Sequence, residues 1–325
     1  MSTRPVALVV GGSRGLGLLI ARELLQRGRR VVIAARDADE LNRAVELLGG
    51  STQAESRVCD VRDREAVHRL VEDVEANVGP IETAMTVAGI IQAGPAEAMT
   101  YEHFEDAINT MTWGPIHVAM AVLPHLRERR SGHIGTVTSI GGMVSPPHLL
   151  PYATAKFGAV GFSDGLAAEL QGTGVTATTI VPGLMRTGSH ERAYFTGNPP
   201  HEYAWFAPAA SLPGISMDAD RAARRIVDAV RAGKPMVMLT PLTWVGARVR
   251  GLLPGTTTRV MGLANRVLPS VPESGPEGTV EGRQADRMLD SRVVRFLTKL
   301  GRKAAERNNE RRARRSPDPG HPVNL

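Results

Sequence analysis

Cysteine is nearly missing from this chain: Cys59 is the one thiol in 325 residues. That excludes an intramolecular disulfide and leaves no cysteine cluster for zinc. Aromatic residues are scarce at 4%, with only four tyrosines, so a tyrosine set beside a charge carries information. Lysine is rare among basic residues that are mostly arginine. No apolar run approaches the roughly 18–20 residues needed to span a bilayer. The first apolar stretch, VALVVGG, meets glycine too soon to be a secretion signal. A cytoplasmic location is the expectation.

The composition, 42% hydrophobic and 22% charged with 34 glycines, is that of a chain able to bury a large core. Through residue 240, short β-branched runs alternate with helical patterns. VALVVG, RVVIAAR, SRVCDV, IETAMTVAG, GHIGTVTSI, VTATTIVPG and PMVML read as strands. Continuous apolar strands between helices predict a parallel sheet covered on both faces, an α/β, Rossmann-like doubly wound fold. Residues 1–240 form this domain. Residues 241–270 form an amphipathic extension interrupted by Arg248, Arg250, Arg259 and Arg266, which packs on the domain, on another subunit or at a membrane surface. From 271 to 325 a Pro/Gly/Glu-rich linker leads to a basic helix and coil, expected to be solvated and partly disordered. Much of the formal charge of +6 sits there, in GRKAAERNNERRARR. Nucleic acid is not the expected partner; peripheral contact with an anionic membrane is the alternative for this extension.

The first strand runs into GGSRGLG and then a helix. Gly11, Gly15 and Gly17 let the backbone turn tightly and approach a pyrophosphate, and the following helix offers free N–H groups and the positive end of its dipole. Ser13, Arg14 and Leu16 complete that loop. At the end of the second strand, where NAD-binding sites place a carboxylate, the chain reads Ala34-Ala35-Arg36. Arg36, with Arg14 as a second cation, suits a phosphate through its forked donors, so NADP(H) is expected over NAD(H).

Residues 151–156 read PYATAK. Tyr152 and Lys156 stand four residues apart, on one helix face. A phenol has a pKa of about 10; a neighbouring ammonium favours the phenolate and lowers it, which makes the pair a usable acid/base.

With these motifs the chain resembles the short-chain dehydrogenase/reductase family over roughly residues 5–240. The resemblance implies that Asp60 and Val61 hold the adenine, that Ala88 and Gly89 close the fourth strand along the cofactor, and that Pro182, Gly183 and Thr187 hold the nicotinamide carboxamide. It implies Ser139 as the catalytic serine orienting the substrate oxygen, Tyr152 as general acid/base, and Lys156 as its activator and a ligand of the nicotinamide ribose. Such proteins oxidise alcohols or reduce carbonyls, and commonly form dimers or tetramers. Three positions depart from the family pattern: Val10 replaces a threonine, Val87 an asparagine, and Met111 the asparagine that helps hold a proton-relaying water. Asn109 lies two residues earlier, on another face of a regular helix. The segment 184–215 carries Tyr194, Phe195, Tyr203, Trp205 and Phe206. These either line a lid for an apolar small-molecule substrate or pack that lid against the domain. His190 and His201 lack the spacing of metal ligands, and no metal is expected. The competing function is a non-catalytic NADP(H)-binding redox sensor.

Overall fold

The computed structural model describes residues 4–271 and 278–311. Seven strands form the central sheet: β1 (Val6–Val10), β2 (Arg30–Ala35), β3 (Ala54–Val58), β4 (Ile81–Thr86), β5 (Gly132–Val137), β6 (Val175–Val181) and β7 (Met236–Met238). Their spatial order is β7-β6-β5-β4-β1-β2-β3, and every neighbouring pair is parallel. β1 is buried along its whole length, as a central strand covered on both faces must be. The third strand starts two residues earlier than the apolar pattern of SRVCDV indicated, because Cys59 and Asp60 already belong to the turn at its end.

Two apolar layers flank the sheet. On one side Leu18, Leu19 and Leu24 of the helix Gly15–Gln26 pack with Ile226 and Val230 of the helix Ala219–Arg231. On the other, Val118 and Val122 pack with Val67 and Leu70. The chain order reverses between β1 and β4, so the connections leaving them diverge and open a crevice at the carboxyl ends of the strands.

The long helical stretch after residue 100 is interrupted. Helices Tyr101–Ile108 and Gly114–Arg129 are joined by a π-helical turn, Asn109–Trp113. The regular helix expected around Met111 is therefore locally widened.

Beyond the sheet, Pro241–Leu252 and Pro254–Asn265 are two helices. Residues 278–311 differ from the linker and solvated tail read from the sequence. They form a short strand, Val280–Glu281, and helices Gly282–Leu289, Arg292–Leu297 and Lys299–Arg307. The physical reason is a third apolar cluster, in which Ala285 and Val294 are buried with Phe195, Tyr203 and Phe206. Phe195 meets Tyr203 and Phe206 edge to face, with centroids 5.7 and 5.8 Å apart. These lid aromatics therefore serve packing, and they clamp the extension to the domain. The strand Val280–Glu281 pairs antiparallel with Tyr194–Phe195, which in turn pairs parallel with Gln92–Ala93. The end of the basic tail, residues 312–325, lies outside the described residues. Among the described residues no helix is long and apolar enough to cross a membrane.

Candidate active site and dinucleotide cleft

The glycine loop leaves β1 with Gly11 at φ +86° and Gly15 at φ +54°, the left-handed region that glycine enters without steric cost. A side chain at Gly11 would run into the backbone of Ala88, and one at Gly17 into the carbonyl of Gly11. The loop is thus folded tightly against the end of β4 and against its own first turn. Leu16 is buried below it.

The rest of the sequence-predicted cleft assembles around this loop. Asp60 and Val61 follow β3. Asp60 accepts from the backbone N–H of Arg62 at 3.0 Å and from its guanidinium. Burial pushes the Asp60 carboxyl up, but the Arg62 hydrogen bonds, with the charges of Arg62 and Arg36, hold it below its usual range. Val61 packs under Gly114. Gly89 lies beside Lys156 and Met111: a side chain there would meet Met111 Sδ at 3.5 Å and Lys156 Nζ at 4.0 Å. Pro182 caps β6 and accepts from Ile140 N at 2.8 Å, and Thr187 is buried five residues on.

Arg36 is exposed at the end of β2. Asp37 caps the next helix, accepting from Glu40 N at 2.9 Å, so its carboxylate faces that helix end. Arg14 corrects the simple reading of two cations for one phosphate. Its guanidinium donates to both oxygens of buried Glu40 at 2.9 and 2.8 Å and faces Glu310 at 3.3 Å. Ser13 Oγ also donates to Glu40, at 3.3 Å.

Ser139, Tyr152 and Lys156 come together beyond β5. Ser139 opens a short 3-10 turn, and its Oγ accepts from Gly141 N at 3.0 Å. That bond uses a lone pair and leaves the hydroxyl hydrogen to be donated, and a side-chain hydrogen bond joins Ser139 to the Tyr152 phenol. Lys156 is buried, its Nζ donating to the carbonyl of Val137 at 2.8 Å and lying 5.9 Å from the centre of the Tyr152 ring. Burial pushes the Tyr152 phenol above its ordinary value, opposed by the Ser139 hydrogen bond. This is opposite to the expected direction, because desolvation of the phenol is the larger cause. Burial also lowers Lys156 to about 8. The folded protein holds that proton less tightly than the unfolded chain. The resulting cost is about 3 kcal/mol below pH 8 and fades as pH rises from 8 toward the ordinary value.

The π-helical turn does not bring Asn109 to this cluster. Asn109 lines an open surface depression with Arg62, Asp106 and Gln92, whereas Met111 is buried with Ala155 and against Tyr152. A thioether accepts weakly and donates nothing, so residue 111 offers no step for a proton. Thr112 Oγ1 donates to the carbonyl of Ala155 at 2.8 Å and ties the turn to the Tyr152 helix. His201 bonds Asn198. His190 is buried, and burial lowers it to about 4, so it stays neutral. Among the described residues no group of three or more His, Cys, Asp or Glu could hold a metal ion.

Sequence reasoning missed a second layer over the glycine loop. Asn308, Asn309 and Glu310, from the segment read as a solvated tail, are buried against it. Nothing local in the string NNER marks this; the pairing is with residues nearly 300 positions earlier. Thr240 and Thr243 were missed as well. Both hydroxyls face the backbone of Gly183, where a side chain would meet them at 3.2 and 2.8 Å.

The loop has the backbone geometry to fit the diphosphate of a dinucleotide: a cradle without side chains, at a helix N-terminus. A carboxyl group of this chain, Glu310, already lies there.

A family model for short chain dehydrogenases matches residues 5–194. The 3-oxoacyl-(acyl-carrier-protein) reductase MabA of Mycobacterium avium is 32% identical over 180 residues, covering 55% of this chain and 67% of the relative. The human 17-beta-hydroxysteroid dehydrogenase 13 is 27% identical over 262 residues, 79% of this chain and 81% of the relative. A short-chain dehydrogenase from Streptomyces avermitilis superposes with a TM-score of 0.70 at 27% identity, over 82% of this chain and 98% of that one. An actinorhodin polyketide ketoreductase solved with NADPH gives 0.66 at 27%, over 75% and 99%. The sheet order, the glycine loop and these matches agree, and the chain belongs to the short-chain dehydrogenase family of oxidoreductases.

Proposed function

We propose that the protein is an NADP(H)-dependent oxidoreductase acting on the CH–OH group, interconverting an alcohol and a carbonyl on an apolar substrate. The observation that carries this reading is the cluster of buried Ser139 and Lys156 with partly buried Tyr152 beyond β5, on the same rim of the sheet as the glycine loop. Relatives named as 3-oxoacyl-(acyl-carrier-protein) reductases and a structural neighbour solved with NADPH support it.

When bound, the nicotinamide supplies or accepts the hydride. The chain's own part concerns the proton. A phenol kept protonated by burial is ready to donate from Tyr152 Oη to the oxygen of a carbonyl as negative charge develops there. Ser139, with its lone pair engaged by Gly141 N, donates to the same oxygen and fixes its position. Lys156, anchored by Val137, keeps positive charge beside the phenolate that remains. The same groups in reverse remove a proton from an alcohol. Arg36 is the cation for the ribose 2′-phosphate, because Arg14 is engaged by Glu40.

The surface beside the cluster bears on the substrate. Gly246 of the helix Pro241–Leu252 faces Ile140 and Val144 at 3.7 and 4.0 Å from a notional side chain, so this helix borders the Ser139 turn. It, Pro254–Asn265 and the turn that follows expose Leu242, Trp244, Leu252 (81%), Leu263 and Val267 (85%). From 241 to 271 the chain has arginines but no aspartate or glutamate. An apolar face with basic charge fits an anionic lipid surface, from which an apolar alcohol or carbonyl would reach the cluster directly. The homo-oligomer implied by the resemblance has a candidate face on Gly114–Arg129 and Leu150–Glu169, where Met120 and Phe157 are exposed.

Tyr152→Phe is expected to abolish turnover with NADPH and a panel of apolar ketones while NADPH binding changes little; retention of most of the carbonyl-reducing rate would remove this mechanism. The reductive kcat/KM is expected to fall as pH rises through about 8, where Lys156 loses its proton. A rate constant across pH 6.5–9.5 would show that this ammonium does not govern the reaction. Arg36→Asp is expected to swing cofactor preference toward NADH by an order of magnitude or more, read as the ratio of the two kcat/KM values. An unchanged ratio sinks the phosphate argument. Full-length protein is expected to cosediment with phosphatidylglycerol-containing vesicles, and Trp244→Asp combined with Leu252→Asp to reduce this severalfold. Equal partitioning of both proteins would rule out the lipid face.

A further inference from the structure

The helix Lys299–Arg307 docks along the turn that begins at Thr187. Gly188, at φ +98°, lies so close to the backbone of Ala305 that no side chain would fit between them. The chain then crosses the mouth of the cleft. Asn308 is fully buried; its carbonyl accepts from Gly15 N at 2.8 Å, and its Nδ2 donates to the carbonyl of Thr187 at 3.2 Å. Asn309 is 6% exposed, with a left-handed φ of +57°, and its Nδ2 donates to the carbonyls of Ser13 and Glu40 at 2.8 and 2.9 Å. Its Oδ1 accepts from Arg43 at 3.1 Å. Glu310 is 4% exposed and its carboxylate presses on the Cα of Gly15, facing Arg14 Nε at 3.3 Å. Arg311 closes the crossing with two hydrogen bonds to Glu191, at 2.9 and 2.8 Å.

Two of these contacts use groups that a bound dinucleotide requires. The Gly15 N–H stands at the start of the helix whose amides would receive a phosphate oxygen. The glycine's bare Cα face, which the loop keeps free of side chains, is covered by a carboxylate. Thr187 is tied to the same segment through the Asn308 side chain. A phosphate and the Glu310 carboxylate cannot both occupy the space over Gly15.

We propose that residues 308–311 are a built-in competitor for the cofactor, a strap whose Glu310 carboxylate takes the diphosphate's place over Gly15 and must leave for a dinucleotide to bind. The inference rests on the reading of the glycine loop as a dinucleotide site. The strap is specific, because both asparagines are satisfied by backbone groups of the cleft. It is also poised to leave. Burial pushes the Glu310 carboxyl up to about 7 against the pull of Arg14 and Arg192, with Glu40 and Glu191 adding to the rise. A diphosphate brings more negative charge to the same cations than one such carboxyl does. Cofactor affinity in the full chain is therefore the intrinsic affinity reduced by the fraction of molecules with the strap released.

The test uses the full-length protein, its Glu310→Lys variant, which sets a cation against Arg14 and Arg192, and Glu310→Gln as the isosteric control. NADPH affinity is read by fluorescence titration, and amide hydrogen exchange of residues 299–311 is read with and without NADPH. The expected result is at least tenfold tighter binding by Glu310→Lys, a smaller gain for Glu310→Gln, and faster exchange in 299–311 when NADPH binds the unaltered chain. Equal affinities for all three proteins, with exchange in 299–311 unchanged by NADPH, would overturn the strap while leaving the dinucleotide site intact. Failure of all three proteins, Glu310→Lys included, to bind either NADPH or NADH would overturn the strap together with the site reading beneath it.

Discussion

β1 pairs in parallel with both β2 and β4, and the contents of the cleft follow from that arrangement. The chain order reverses between β1 and β4, so the connections after them leave in opposite directions and a crevice opens at the strand ends. The glycine loop must turn over the end of β1 within a few residues and still clear Ala88 at the end of β4. Only an absent side chain at Gly11 permits that approach. Ser139 then arrives at the end of β5 and Pro182 at the end of β6, on the same rim. Residues from four separate connections share one site because the sheet is parallel.

Within that frame the Lys156–Val137 bond is the costly element. It takes an ammonium out of water and satisfies it with a backbone carbonyl. The energetic consequence, a lysine whose proton is held less tightly in the folded state, is the same property that makes it responsive near neutral pH. Tyr152 is drawn in the opposite direction, toward the protonated form. The two shifts move the pair apart: free phenol and ammonium are nearly equal in acid strength, whereas here the ammonium is the stronger acid and the phenol stays protonated. Met111 beside them contributes shape and dryness, not protons, so desolvation of the pair is partly its work.

Much of this could be read from the residues themselves. The seven strands were legible because continuous β-branched runs between helices have few other interpretations, and the glycine loop because its glycines fall between the first strand and the first helix. The Tyr152–Lys156 pair was legible from helical spacing, and Ser139 from the resemblance. The direction of the Tyr152 shift was not, since burial of the phenol depends on Met111 from the π-helical turn closing against Ala155 and Leu149 of its own helix and cap. The lid aromatics were ambiguous because Phe195, Tyr203 and Phe206 look alike whether they face a substrate or Ala285 and Val294. The sequence around Asn308 was misjudged for a plainer reason. Charge and polarity predict solvation only when no distant partner exists, and here the partners are backbone groups of Ser13, Gly15 and Thr187, which carry no sequence signal.

That last point changes how the charge of this chain should be interpreted. Arg14, Arg192, Arg283 and Arg311 form a group of cations around the buried carboxylates of Glu40, Glu191 and Glu310. Breaking one member of such a network leaves its partners buried without a counter-charge, which costs more than the pair contributed. The strap therefore leaves most readily when something takes its place beside Arg14. Water can do so for a solvated cation, but a polyanion does it better in a cleft lined with N–H donors. The extension and the cofactor loop are in this sense one electrostatic unit: the domain supplies Arg14 and the helix N-terminus, and the extension supplies the anion when no other is bound.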